Sequence, residues 1–309
     1  MLPIIDLHCD ALLKLWEDET RSFRDHPDIE TNLIRLQTGG VRIQFFAIFI
    51  EPTVPSDQTF HVALSQIDRF YQDVLANNPE IKHIRAWNEI NDLEEGEIGA
   101  VLTLEGAEAI GNDLMKLRML YEQGVLSVGL TWNNANLCAD GVGEPRGGGL
   151  TNLGYEVVNL NNQFHRLTDV SHLSEASFWN VIESADYPVA THSNARAVCE
   201  HRRNLYDDQL RALFEKGGFI GIVFNPPFIN GQTTASIDEI LKHIEHICTI
   251  GGENHLAFGS DFDGISYHVD QLEHAGMYDH FINELLKRYS EDRVRKFAHL
   301  NMLNRLPRG

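Results

Sequence analysis

Six side chains far apart in the chain share one local setting. His8 and Asp10 end the run "PIIDLHCDAL" (3–12), Glu105 falls in "GAVLTLEG" (99–106), His172 ends "LTDVSH" (167–172), His192 lies in "YPVATHS" (187–193) and Asp261 ends "HLAFGSD" (255–261). Each stands at or just past the carboxyl end of a short apolar run rich in β-formers. Imidazole and carboxylate together form the donor set that suits a divalent zinc ion. His8, Asp10, Glu105, His172 and His192 are more donors than one four-coordinate site takes. A carboxylate shared between two ions would distribute them, giving a two-metal centre able to hold a hydroxide at neutral pH.

Taken singly, each residue has an ordinary reading. His172 or His192 alone reads as a satisfied buried histidine, Glu105 as a surface acid or a helix-entry carboxylate, and Asp261 in "GSDFDG" as turn chemistry. The joint placement carries the argument. Side chains alternate along a strand, so His8 and Asp10 share a face while Cys9 points away and is read as packing. His61, His83, His243 and His246 lack this convergence and are read as surface residues.

The elements that must position these groups follow a βα rhythm. Eight apolar runs recur: 3–8, 42–50, 99–106, 126–132, 167–172, 187–193, 218–225 and 255–261. Amphipathic stretches lie between them, at 59–78, 113–124, 174–185, 207–218 and 236–252, several opened by Ser or Asp and closed by Gly. Eight strands alternating with helices predict a single α/β domain over 1–309, a closed (β/α)8 TIM barrel, whose strand ends converge on one mouth. The segment "IKHIRAWNEI" (81–90) is either a ninth strand or an excursion, and the tail 291–306 reads as a last helix packing on the barrel. The Gly-rich stretch 139–154 reads as a long flexible loop on the catalytic face.

Acidic residues number 45 against 25 basic ones, a net charge of −20 that repels phosphate backbones and anionic lipid, so nucleic acid and membrane surfaces are not expected partners. The four cysteines, Cys9, Cys138, Cys199 and Cys248, form no CxxC pair and fit a reducing compartment. No basic-then-apolar leader opens the chain and no window approaches a membrane-spanning apolar length, so a cytoplasmic protein is expected.

Blocks in "IIDLHCD", "VLTLEGAE", "VGLTWNNANLCADG", "GLTNLG", "TDVSHLSEASFWNVIE", "PVATHSNARAVCEHRRNLYDDQLRALFEKGGFIGI" and "FGSDFDGI" resemble, in order, the membrane dipeptidase (renal dipeptidase-like) family of zinc peptidases, within the amidohydrolase-type metal-dependent barrels. The resemblance implies two Zn2+ per chain, one held by His8, Asp10 and Glu105 and the other by Glu105, His172 and His192, bridged by Glu105 and a water or hydroxide. It implies that Asp261 shuttles the proton from the attacking hydroxide to the leaving amine. Arg203, with Arg202 as competitor, matches the arginine that meets the substrate's terminal carboxylate. Asp263 is read as shaping the turn.

Three positions depart from the family pattern: Trp132 where many members have histidine, Ala107-Glu108 after the bridging glutamate's glycine, and Asn225 where many show tyrosine. Trp132 and Asn225 are taken as substrate-binding candidates. The function expected is hydrolysis of L-Xaa-L-Xaa or L-Xaa-D-Xaa dipeptides, in a protein that the family suggests is a homodimer. The lipid-attachment signal of anchored members is not expected here. The alternatives are another metal-dependent amidohydrolase, which usually shows HxH after strand one and often a lysine bridge, or a catalytically silent metal-binding barrel.

Overall fold

The computed structural model describes residues 2–307. Its strands, in chain order, are β1 (Ile4–Asp6), β2 (Val41–Phe49), β3 (Ile81–Ile84), β4 (Ile98–Glu105), β5 (Val125–Gly129), β6 (Leu167–Asp169), β7 (Pro188–Ser193), β8 (Phe219–Ile222) and β9 (Leu256–Phe258). All pairings between them are parallel, and β1–β9 together with β2–β4 closes an eight-stranded ring in the order β1-β2-β4-β5-β6-β7-β8-β9. The (β/α)8 expectation is met.

The segment 81–90 resolves into both readings. Residues 81–84 form β3, a ninth strand outside the ring, and Trp87–Asp92 form a short 3-10 helix. β3 pairs with Ile98–Val101, the lower half of β4, while β5 takes over from Leu102 upward, so β3 occupies an edge that the barrel leaves open at its base.

Alternation along the strands sorts two apolar sets. Ile5, Leu7, Ile43, Phe45, Val101, Leu126, Leu167, Val189, Phe219 and Ala257, from all eight ring strands, form one buried cluster that fills the interior, with Trp87 and Met302 added to it. Their sequence neighbours, such as Phe46, Ile48, Leu102, Leu104 and Ala190, belong to the larger cluster against the surrounding helices. This is a packed barrel core, not a pore.

The helices start where short polar side chains can bond their free backbone N–H groups: Asn32, Asp113, Thr151 and Ser174 each accept from a first-turn amide. Two predicted helices carry a wider turn. The 59–78 stretch is α-helical over Thr59–Arg69 and then π-helical over Phe70–Leu75, and the tail is π-helical over Lys296–Leu300. That tail packs against β1 and β9.

The Gly-rich stretch is pinned, contrary to the expectation of a flexible loop. Asp140 accepts from Arg146 Nε at 2.7 Å and Nη2 at 2.6 Å and from Gly148 N at 2.7 Å, while Leu150 N donates to Asn180 at 3.0 Å. Among the described residues, no helix is long and apolar enough to cross a membrane.

Candidate metal centre

Glu105 is the top of the inward row Val101, Thr103, Glu105 on β4, and it lies level with Phe49 of β2 and Gly129 of β5. The ladder of β1 ends at Asp6, and the chain runs on extended: Cys9 N donates to Phe45 O and Cys9 O accepts from Ala47 N. Cys9 is fully buried in the outer core as packing, and His8 and Asp10 turn to the mouth.

Strict alternation from Val189, which faces the interior, would send His192 outward. An irregularity between Ala190 and Ser193 of β7 inserts an extra residue relative to β8 and reverses that phase. His172 and Asp261 lie three residues past their strands and are held in the left-handed backbone region, with φ of 67° and 66°. For non-glycine residues this costs about 1 kcal/mol or more each, and the surrounding hydrogen bonds must hold it.

The result is one cluster. His8 Nε2 lies 3.4 Å from Asp10 Oδ2, 3.4 Å from Glu105 Oε2 and 3.7 Å from Asp261 Oδ1. Glu105 Oε1 lies 2.9 Å from His172 Nε2 and 3.7 Å from His192 Nε2. One carboxylate therefore directs one oxygen to each side. Donor atoms of His8, Asp10 and Glu105, and of Glu105, His172 and His192, each fall within 4.8 Å of one another.

Proton bookkeeping shows that this cluster fits cations. His172 Nδ1 is 2.9 Å from Asn133 Oδ1, an acceptor, so that nitrogen carries the ring's proton. The Thr191 hydroxyl donates to Asp169, leaving its oxygen to accept from His192 Nδ1 at 2.9 Å. Both Nε2 atoms then turn lone pairs toward each other at 2.8 Å and toward Glu105. Burial keeps both rings neutral, pushing His172 down to about 3 and His192 well below the usual histidine range. On the other side, the buried atoms His8 Nε2 and Asp10 Oδ1 have no hydrogen-bond partner. Converging lone pairs and carboxylate oxygens in a dry site call for positive charge.

His8 gives a measurable consequence. Burial opposes its imidazolium, but the nearby negative charges of Glu105 and Asp10 outweigh burial and hold the ring well above its usual range. In the metal-free protein His8 thus holds its proton more tightly than an ordinary histidine, and a cation must expel it. Zinc uptake is expected to release protons and to weaken as pH falls, read calorimetrically in buffers of different ionisation enthalpy. Identical heats in all buffers would contradict this.

The remaining predicted residues line a cleft of about 290 Å³ above the cluster. Asp261 is raised well above the usual carboxylate range by burial, with Asp10 and Glu105 pushing the same way and His8 and Arg203 opposing. Arg203 is buried, and its side chain makes one hydrogen bond among the described residues, Nη2 to His192 O at 3.2 Å, with Nε unpartnered. Arg202 is exposed, and of the two arginines only Arg203 lines the cleft. Asn225 presents a buried Oδ1 with no partner, and the Trp132 ring stands 6.0 Å from that of His172 and 5.5 Å from Phe49.

Sequence reasoning missed the groups that orient the rings, Asn133, Thr191 and Asp169. Asp169 accepts from Ser171 N at 2.9 Å and Thr191 N at 3.0 Å, tying the β6 end to β7. An acid inside a strand-end run was the available signal. Asp263 does more than shape its turn: its carboxylate accepts from Glu30 N at 2.7 Å and Thr31 Oγ1 at 2.5 Å, and Glu30 accepts from Asp263 N at 2.7 Å. This clamp fixes the loop that carries Asp261.

Of the four histidines read as surface residues, three need correction. His243 is fully buried, its Nδ1 accepting from Ala195 N at 3.2 Å and its Nε2 2.9 Å from Ile229 O. His83 is half-buried against Phe70, with ring centroids 4.9 Å apart, and burial pushes it down to about 4. His246 is half-buried and meets Asp207 at 2.7 Å, and His61 is exposed as read.

Residues 1–307 match the family described as membrane dipeptidase, peptidase family M19. The chain is 32% identical over 286 residues to the dipeptidase aclJ of Aspergillus oryzae, covering 86% of this chain and 67% of that protein. It is 32% identical over 287 residues to an uncharacterized protein of Acinetobacter calcoaceticus, covering 80% and 89%. Among solved structures, a metallo peptidase from Rhodobacter sphaeroides liganded with a phosphinate mimic of L-Ala-D-Ala superposes with a TM-score of 0.91 at 27% identity, covering 99% of both chains. The dipeptidase AC of family M19 gives 0.90 at 29% identity, covering 98% and 97%.

Proposed function

The chain belongs to the membrane dipeptidase family, whose members are metallo-dipeptidases, and on that premise we propose that it is a binuclear zinc dipeptidase acting on small dipeptides with a free carboxylate. The observation that carries the proposal is Glu105, with Oε2 turned to His8 and Oε1 to His172 and His192. His8, Asp10 and Glu105 would hold one ion, and Glu105, His172 and His192 the other. When bound, such a pair polarises the scissile carbonyl and lowers the pKa of the attacking water.

The chain's own residues do the rest. Asp261, at 3.7 Å from His8 on the cleft side, takes the water's proton and returns it to the leaving amine. Arg203 receives the terminal carboxylate on a guanidinium that spends a single bond on the protein. Asn225 and Trp132 flank the bound peptide, and the buried walls exclude competing water.

L-Xaa-L-Xaa and L-Xaa-D-Xaa dipeptides are the substrates to assay, the second prompted by the ligand of the Rhodobacter sphaeroides structure. Turnover with about two zinc ions per chain supports the reading, and stoichiometric metal with no turnover of any dipeptide refutes it. A cytoplasmic setting accords with four cysteines that are all free thiols. The homodimer suggested by the family is part of the same proposal, to be checked by light scattering.

Arg203→Met tests the anchor. It is expected to lower kcat/KM for free-carboxylate dipeptides by roughly 10- to 100-fold, the worth of a charge-assisted bond, while sparing amidated ones. Equal loss on both classes would make the arginine structural.

A further inference from the structure

The metal cleft is not the only cavity at the mouth. A second one, of about 520 Å³, opens beside it and shares Glu51 and Trp132 as lining. Its floor and walls include Ile50, Pro52, Val54, Ala107, Ala135 and Leu137. Leu137, at the outer lip, leaves 59% of its surface exposed, an apolar side chain without cover. Two of the charged groups that reach this space are committed elsewhere, while Glu51, Ser56 and Asn134 also line it. Arg146 gives Nε and Nη2 to Asp140, and Glu108 Oε1 accepts from Asn136 Nδ2 at 3.0 Å.

Strand order gives the cavity its direction. Arg203, Asn225 and Asp261 follow β7, β8 and β9, whereas Ile50, Ala107 and Trp132 follow β2, β4 and β5, which stand diametrically across the ring. A dipeptide whose carboxylate rests on Arg203 and whose amide lies over Glu105 must extend its amino-terminal residue toward that far side. The indole of Trp132 forms the partition it meets there.

We propose that this second cavity is a specificity subsite that takes the side chain of the substrate's amino-terminal residue and selects large apolar ones, aliphatic or aromatic. The proposal rests on the dipeptidase reading above. The subsite is built by chain outside the metal ligands, so it can be altered without touching them. Its volume lies well within the range of small-ligand pockets, roughly 300–1,000 Å³, and exceeds what a methyl group could use.

The test uses the zinc-loaded protein and dipeptides sharing one carboxyl-terminal residue, with Gly, Ala, Leu, Phe, Lys or Glu first. kcat/KM is expected to rise by about 10-fold or more from Gly to Leu and Phe, the worth of burying such a side chain. Ala135→Phe, which fills the cavity, is expected to abolish that rise and leave the Gly-first substrate within about 2-fold. Val54→Trp serves as a second filling variant should the first fold poorly. Binding of phosphinate dipeptide mimics, Gly-first against Phe-first, should follow the same order by calorimetry. Flat size dependence, a preference for Lys or Glu, or equal loss on all substrates in the filled variants would overturn the subsite alone. No turnover of any dipeptide would overturn the dipeptidase reading and the subsite with it.

Discussion

Replacing Glu105 with glutamine is expected to empty both halves of the metal centre, taking zinc from about two ions per chain to nearly none. The reason is geometric. Its two oxygens serve two groups of donors, 3.4 Å from His8 on one side and 2.9 Å from His172 on the other. An amide keeps one oxygen, replaces the other with an N–H2 that repels a cation, and removes the negative charge that both ions would share. Activity should fall by roughly 10³-fold or more, since metal polarisation supplies several kcal/mol of transition-state stabilisation. Asp10→Asn, which touches only the His8 side, should lose one ion and keep the other. Mass spectrometry under native conditions reads both outcomes, with circular dichroism showing that the barrel persists. Two tightly bound zinc ions in Glu105→Gln would end the shared-ligand assignment.

Asp261→Asn should do the opposite, keeping metal while losing kcat by on the order of 10² to 10⁴, the usual worth of general acid–base transfer. The carboxyl stands 3.7 Å from His8, beyond the three-residue sets around Glu105, and faces the cleft where the peptide lies. It acts as base only when deprotonated, so activity governed by it rises with pH, and that acidic limb should vanish in the variant. Retained rate would remove Asp261 from the mechanism. Loss of zinc would make it a ligand, as its approach to His8 and His192 allows.

The ring of eight strands was legible because most inner strands lie in short, largely apolar runs, and because five of the eight runs carry a histidine or a carboxylate at their carboxyl end, as a barrel mouth requires. What the pattern could not show was phase. His192 faces the mouth through an irregularity in β7, and no residue type in "YPVATHS" announces it. β3 was ambiguous because its place depends on β4 being longer than the edge that β5 covers, a relation between strands rather than a property of either.

His243 was misread for a different reason. It sits on the same helical face as Ile240, Leu241, Ile244 and Ile247, so the 3.6-residue period had the signal, but the surface reading rested only on its distance from the strand ends. The ring orienters Asn133 and Thr191 left no trace, because a short polar side chain beside a loop looks the same whether or not it bonds a histidine.

β4 is paired on both flanks along nearly its whole length, with β2 on one side and β3 followed by β5 on the other. The strand that presents Glu105 is thereby the one whose amides solvent is expected to reach last. In hydrogen–deuterium exchange its protection should approach the global unfolding limit even after chelation, while the loop bearing His172 loosens first. Demetallation would then be a local, reversible opening around a carboxylate that never leaves its post, ready to recapture ions without refolding.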